Sequence, residues 1–250
     1  MSLFPWNSKS RQARDVSAVI PCRDAAVFLP ACLDSLLGQE PGFVPREILV
    51  IDDGSTDDTP AVLSVYRRRS RCIRSWRIRA GNANRARLFG VSMSRGAFIL
   101  LVDADNWLEP DFVRLTLAAI RTPDPEGGLP AFAYGDRIVH YEADWIPHRD
   151  PSGVDVERIA VGPFDPARLK TGNYIDMCSL VRREAVRLDP GLTALQDWDL
   201  WLRLAQQNQV GRYVPETAFH YRFHEHNLTR RRIEDQTDPS FGKVVRRYGL

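Results

Sequence analysis

Two aspartate clusters stand where short apolar runs end. Asp52-Asp53-Gly54-Ser55 follows Ile48-Leu49-Val50-Ile51, and Asp103-Ala104-Asp105 follows Phe98-Ile99-Leu100-Leu101-Val102. A short apolar run that stops at turn-forming residues reads as a buried strand. Open α/β sheets bind ligands beyond the carboxyl ends of their strands. Carboxylates placed there are hard oxygen donors, suited to Mg²⁺ or Mn²⁺ bridging to a diphosphate. These residue types therefore point to metal-assisted chemistry on a nucleotide diphosphate.

The elements that must hold these aspartates alternate. Strands are expected at Val16 to Pro21, Glu47 to Ile51, Cys72 to Ile78 and Ala97 to Val102. Between and after them fall helical patterns at Val27 to Leu37, Thr59 to Arg69, Asn84 to Met93 and Pro110 to Arg121. Pro60 and Pro110 suit the first turns of their helices. Such alternation implies a parallel sheet covered by helices, joined by right-handed crossovers. A Pro- and Gly-rich stretch, Thr122 to Pro130, marks a change of style. Strands are then expected at Ala131 to Tyr141 and Tyr174 to Val181, with a loop from Glu142 to Pro166 between them. A helix is expected at Asp197 to Gln207, then strands at Gly211 to Val214 and Thr217 to Arg222.

Composition narrows the class. The 250 residues are 44% hydrophobic and 26% charged, with net charge +2. These values are ordinary for a globular chain with one large α/β domain or two small ones. No apolar stretch is long enough to span a bilayer. The first residues lack the apolar core of a secretory signal, so a cytoplasmic location is expected. Cys22, Cys32, Cys72 and Cys178 have no C-x-x-C spacing. Three of them sit among apolar neighbours and read as core, while Cys22 follows a strand and could line a site. Arginines concentrate between Arg67 and Arg87, and again at Arg230, Arg231, Arg232, Arg246 and Arg247. Most read as a solvated face. The C-terminal set is a candidate for peripheral contact with the inner face of a membrane. They are not interleaved with aromatics in a nucleic-acid recognition pattern, so no nucleic-acid partner is expected.

Other nucleotide chemistries lack their residues. The turn after the first strand, Cys22 to Ala26, contains no glycine for a dinucleotide-binding fold. There is no G-x-x-x-x-G-K-[ST] loop and no G-x-S-x-G elbow. A metal held on carboxylates is the remaining way to grip a diphosphate.

At this point the motifs become recognisable. Val19-Ile20-Pro21, Asp52-Asp53-Gly54-Ser55-Thr56-Asp57, Asp103-Ala104-Asp105-Asn106, Gln196-Asp197-Trp198-Asp199-Leu200-Trp201 and Tyr221-Arg222-Phe223-His224 occur in order. Together they resemble the family 2 glycosyltransferases of the GT-A fold, from about Val16 to Asn227. The resemblance implies a Rossmann-like, mostly parallel sheet flanked by helices, with a smaller mixed second half completing the site. It implies one domain over 16–227, with a nucleotide-binding half at 16–125 and an acceptor-binding half at 126–227. A lead-in at 1–15 and a basic, partly helical tail at 228–250 flank it.

The resemblance also implies roles. Asp53 hydrogen-bonds the nucleotide base, which Pro21 and Arg23 flank. Asp105 ligates Mn²⁺ or Mg²⁺, and Asp103 holds the ribose or a metal-bound water. Asp197 is the general base of an inverting transfer. His224 completes the metal site, with His220 and His226 as alternatives. Arg87 reaches a phosphate or the base, or else lies on a solvated helix face. The donor is a nucleotide-diphosphate sugar, with UDP favoured. The acceptor is a glycan, a lipid-linked molecule or a small molecule, as in cell-envelope or polysaccharide synthesis. The loop at Glu142 to Pro166 is a candidate lid on the acceptor side.

Simpler readings stand beside these roles. Asp52 and Asp53 could build an Asx turn. Asp103 and Asp105 could cap the helix at Pro110, and Asp197 could cap its own helix. A nucleotidyltransferase on a related fold, or an inactive sugar-nucleotide binder, are the alternative functions. Departures from the family pattern at Arg23, Asp24, Leu88 and Gln196 bear on the second.

Overall fold

The computed structural model describes residues 13–141, 156–224, 227 and 238–250. Nine strands join in one sheet, ordered β3-β2-β1-β4-β8-β6-β9-β5, with β7 paired to β6. The first four strands are β1 (Val16–Cys22), β2 (Glu47–Asp52), β3 (Ile73–Arg77) and β4 (Phe98–Leu101). All pairs among them are parallel. They are linked through α1 (Leu29–Leu37), α2 (Thr59–Arg69) and α3 (Ala83–Met93). Because β1 lies between β2 and β4, the aspartates ending β2 and β4 emerge on either side of Cys22.

The second half is mixed. It comprises β5 (Trp107–Leu108), α4 (Phe112–Arg121), β6 (Phe132–Tyr141), β7 (Val156–Ile159), α5 (Pro166–Thr171), β8 (Ser179–Arg182), α6 (Gln196–Gln206), β9 (Gly211–Phe223) and α7 (Pro239–Tyr248). β8 runs antiparallel to both β4 and β6, whereas β9 runs parallel to β6. Alternate residues of β1 face two different cores. Val16, Ala18 and Ile20 pack with α1, α2 and α4. Val19 faces the other side, with the apolar faces of α3 and α6. In α3, Gly90 is required by close approach: a Cβ there would lie 2.5 Å from Val19 Cγ1. That contact presses the helix onto β1 and β2, with Arg87 one turn earlier.

Several expectations are corrected. The expected loop at 142–166 contains strand β7, held to β6 by backbone pairing, with an exposed face that gives no burial pattern. Residues 142–155, which include most of the candidate lid, lie outside the described residues. The two strands expected at 211–214 and 217–222 are one strand. Its register jumps from Gly135↔Val214 to Asp136↔Ala218, so Pro215 and Glu216 bulge out without ending it. At 174–181 only the last part is a strand. Tyr174, Ile175 and Met177 are apolar because they are buried in the core that α6 joins, not because they pair. Helix α1 begins at Leu29, leaving Val27 84% exposed. The tail past 238 forms α7, packed on α6.

Arg247 lies at the surface, 2.5 Å from both Asp199 and Asp189. It therefore has a structural role as well as an exposed charge. Arg246 is exposed, and Arg230, Arg231 and Arg232 lie outside the described residues. Among the described residues, no helix is long and apolar enough to cross a membrane.

Candidate functional site

The acidic pair ending β2 splits its work. Asp52 is buried, accepts the Ser55 N–H at 2.8 Å and lies 3.7 Å from Arg77 Nε. It builds the turn. Gly54 sits at φ +75°, a conformation that glycine adopts at little cost. Asp53 is half-buried, and its Oδ1 accepts the N–H groups of Ala80 and Gly81 at 2.5 and 3.0 Å. This ties the end of β2 to the loop before α3.

Pro21 is a buried β1 residue opposite Ile51. Arg23 is exposed, 3.7 Å from Asp24. Asp24 adopts φ 49° and accepts the Thr56 N–H at 2.6 Å and its hydroxyl at 3.1 Å. The Thr56 N–H holds the Asp24 carboxyl below its ordinary range. Asp24 thus pins the Ser-Thr-Asp turn against the end of β1.

Cys22 is buried, and desolvation with the nearby Asp52 pushes its thiol well up. It is a neutral packing residue, not a nucleophile.

Arg87 does not lie on a solvated face. It is 4% exposed, with one guanidinium nitrogen 2.5 Å from Asp103 Oδ1 and another 2.7 Å from Gln196 Oε1. Gln196 also donates to the Leu192 carbonyl at 2.8 Å. The chain of contacts runs from the end of β4, through α3, to the start of α6. Asp197 follows at once. It is half-buried, and its Oδ1 accepts the Trp198 N–H at 2.9 Å. The helix N-terminus is a place where backbone N–H groups favour a carboxylate.

Asp105 meets His224 from the far end of β9. Nε2 of His224 lies 3.1 Å from Asp105 Oδ2. The imidazole is 4% exposed and packs against Phe28, with ring centroids 4.4 Å apart. Asn227 braces both, accepting the His224 N–H at 2.6 Å and donating to Asp105 at 3.2 Å. His220 is occupied elsewhere. It bonds Glu109 and His140, each at 2.8 Å, and stacks on Trp107. Of the two described histidines weighed for Asp105, His224 is the one beside it; His226 is outside the described residues.

One carboxylate and one imidazole would suit a divalent ion such as Mn²⁺ or Mg²⁺. Among the described residues, no third His, Cys, Asp or Glu joins them to form a metal-holding group. Three contributors were not foreseen: Asn227, Asp176 and Arg137. Arg137 Nη1 lies 2.8 Å from Asp176 Oδ2. Burial, and the negative charges of Asp197 and Asp103, push the Asp176 carboxyl up to about 6 against Arg137. A signal for it existed, since it is the lone charge inside the apolar run Tyr174 to Val181.

Comparison with known proteins gives the family and the fold. The family model described as Glycosyl transferase family 2 matches residues 17–188, and the chain belongs to that family. The chain is 33% identical over 132 residues to the chondroitin synthase of Pasteurella multocida, which covers 48% of this chain and 14% of that protein. It is 28% identical over 97 residues to the glycosyltransferase EpsH of Bacillus subtilis, covering 39% and 28%. The chain thus spans well under half the length of these relatives.

Among solved structures, S. aureus TarS 1–349 matches with a TM-score of 0.66 at 17% identity, over 94% of this chain and 64% of that one. The Pyrobaculum calidifontis mannosyltransferase PcManGT, in complex with GDP-Man and Mn²⁺, gives a TM-score of 0.66 at 15% identity, over 98% and 68%. The fold is GT-A.

Proposed function

We propose that the chain moves a sugar from a nucleotide-diphosphate sugar, UDP favoured, to an acceptor hydroxyl with inversion. The observation that carries this reading is the meeting of Asp105 with His224 beside an Asp103 that Arg87 ties to the helix of Asp197. Support also comes from neighbours solved with UDP-GlcNAc and with GDP-Man and Mn²⁺.

Asp105 and His224 would hold a divalent ion, Mn²⁺ or Mg²⁺. Such an ion would neutralise charge developing on the departing diphosphate. Asp53, with Pro21 and Arg23 nearby, reads the base, and Asp103 holds the ribose or a metal-bound water. Asp197 takes the proton from the acceptor hydroxyl as its oxygen attacks the anomeric carbon. The bond from that carbon to the diphosphate oxygen breaks on the opposite side. A positioned base of this kind gives roughly 10²–10⁴-fold in rate. Arg87 acts through others: it fixes Asp103 and the start of α6 relative to each other. The catalytic unit extends past the matched residues, because Asp197 and His224 both lie beyond residue 188. A glycan or lipid-linked acceptor fits a role in polysaccharide synthesis.

A thermal-shift panel of UDP, GDP, CDP and dTDP, each with and without Mn²⁺, tests the reading. A nucleotide at 100 times its dissociation constant adds about 2.7 kcal/mol. Absence of any shift across the panel rejects it.

A further inference from the structure

The ion pair of Asp176 and Arg137 has no part in the mechanism above. Strand β8 runs antiparallel to β4 with Ser179 opposite Leu101. Past that pair, the chain before Ser179 continues alongside the segment that carries Asp103 and Asp105. Asp176 is three residues before Ser179, and its backbone carbonyl accepts the Ser179 hydroxyl at 3.2 Å. Its carboxylate meets Arg137 of β6 at 2.8 Å. It also feels the negative charges of both Asp197 and Asp103. In the proposed reaction, the sugar being transferred lies between the group that holds the donor and the base that serves the acceptor.

We propose that Asp176, oriented by Arg137, accepts hydrogen bonds from hydroxyl groups of the transferred sugar and so helps select the donor. This rests on the glycosyl-transfer reading. A carboxylate offers about four acceptor positions, of which a single contact from Arg137 uses one. Arg137 keeps a buried Nε–H that has no hydrogen-bond partner. The pair can therefore meet vicinal hydroxyls with an acceptor and a donor side by side. A bracing role explains it less well, since a buried ion pair is weak evidence for stability.

The test compares UDP with UDP-glucose, UDP-galactose and UDP-N-acetylglucosamine by calorimetric titration with Mn²⁺ present. For the sugar nucleotide that wild type prefers, Asp176→Asn should weaken binding about tenfold or more, while UDP itself binds as in wild type. Asp176→Glu keeps the charge but displaces it, and should lower the same sugar-to-UDP affinity ratio. An unchanged ratio in either folded variant overturns the inference. Equal loss for UDP and its sugars also overturns it, by placing Asp176 in the fold or at the nucleotide. Failure of wild type to bind any nucleotide would instead reject the transferase reading on which it stands.

Discussion

The side chain of Gln196 accepts from Arg87 at 2.7 Å and, through its amide nitrogen, donates to the Leu192 carbonyl at 2.8 Å. One residue thereby joins α3 to the turn that launches α6. Gln196 is one of the departures from the family pattern, directly before the proposed base Asp197. A carboxylate could accept from Arg87 but has no N–H for Leu192. The amide serves both neighbours, which gives Gln196 a structural role of its own.

The first prediction concerns that amide. Gln196→Glu would set a carboxylate oxygen against the Leu192 carbonyl. An unsatisfied or repelled buried polar group costs roughly 1–3 kcal/mol. For a chain of this size, each kcal/mol lowers Tm by about 2–4 °C. Differential scanning calorimetry should show such a drop at neutral pH. An unchanged or raised Tm would mean that the ion pair with Arg87 outweighs the lost donor.

The second prediction concerns α7. Asp199 is fully buried and sits two residues after Asp197. Arg203, Arg247 and the Tyr248 hydroxyl all reach it. The same Asp189 and Asp199 contacts hold the Arg247 guanidinium in its charged form. Removing one partner of a buried ion strands the other, but Arg247 is 35% exposed and Arg203 remains. Arg247→Ala should therefore cost roughly 1–2 kcal/mol in urea unfolding and lower turnover by loosening α6. Stability within error of wild type would show that α7 is an appendage and no clamp on the base helix.

Much of the fold was legible because β1, β2 and β4 are buried on both faces and read as mostly apolar runs. The bounds of α2 were readable from Pro60 and the arginine-rich last turn. The second half was harder for physical reasons. Pro215 normally argues against a strand interior, yet β9 passes it as a bulge. Exposed β7 has no apolar face to announce it. The site aspartates were visible from their places at strand ends. His224 was singled out with them, but the bond from Arg87 to Asp103 and the brace from Asn227 were not. For Arg87 the sequence left a site contact and a solvated face both open until the fold buried it, and Asn227 carries no pattern of its own. Asp176 hid because the run around it read as a strand interior.

The third prediction follows the charge of Asp176. The folded carboxyl keeps its proton up to about pH 6, whereas its ordinary value is 3.8. Between those values the folded state binds more protons than the unfolded one. Stability from this group therefore falls as pH rises, and the loss is complete above about pH 6. The side chain keeps 18% exposure, so water tempers the penalty to about 1–3 kcal/mol. Asp176→Asn removes the ionisable group. Its Tm should exceed that of wild type by a few degrees at pH 7.5, and the gap should close as pH falls towards 4. A gap that widens on acidification would show the opposite sign and a carboxylate stabilised by Arg137.

The last prediction separates the metal grip from the nucleotide grip. If Asp105 and His224 hold the ion, then losing the imidazole should weaken Mn²⁺ without disturbing the base-reading end, where Asp53 is tied to Ala80 and Gly81. Asn227 supports both ligands, and such supporting hydrogen bonds typically carry 10–100-fold in metal affinity. The measurement is the extra thermal stabilisation by UDP on adding Mn²⁺, titrated in wild type, His224→Gln and Asn227→Ala. A tenfold loss of affinity at saturating ligand removes about 1.4 kcal/mol of stabilisation. That is about 3–6 °C for a chain of this length. His224→Gln should lose most of the Mn²⁺-dependent part and Asn227→Ala a smaller share, while the metal-free UDP shift stays as in wild type. If His224→Gln titrates with Mn²⁺ like wild type, the imidazole is a structural partner of Asp105 only, and the metal rests on the carboxylates.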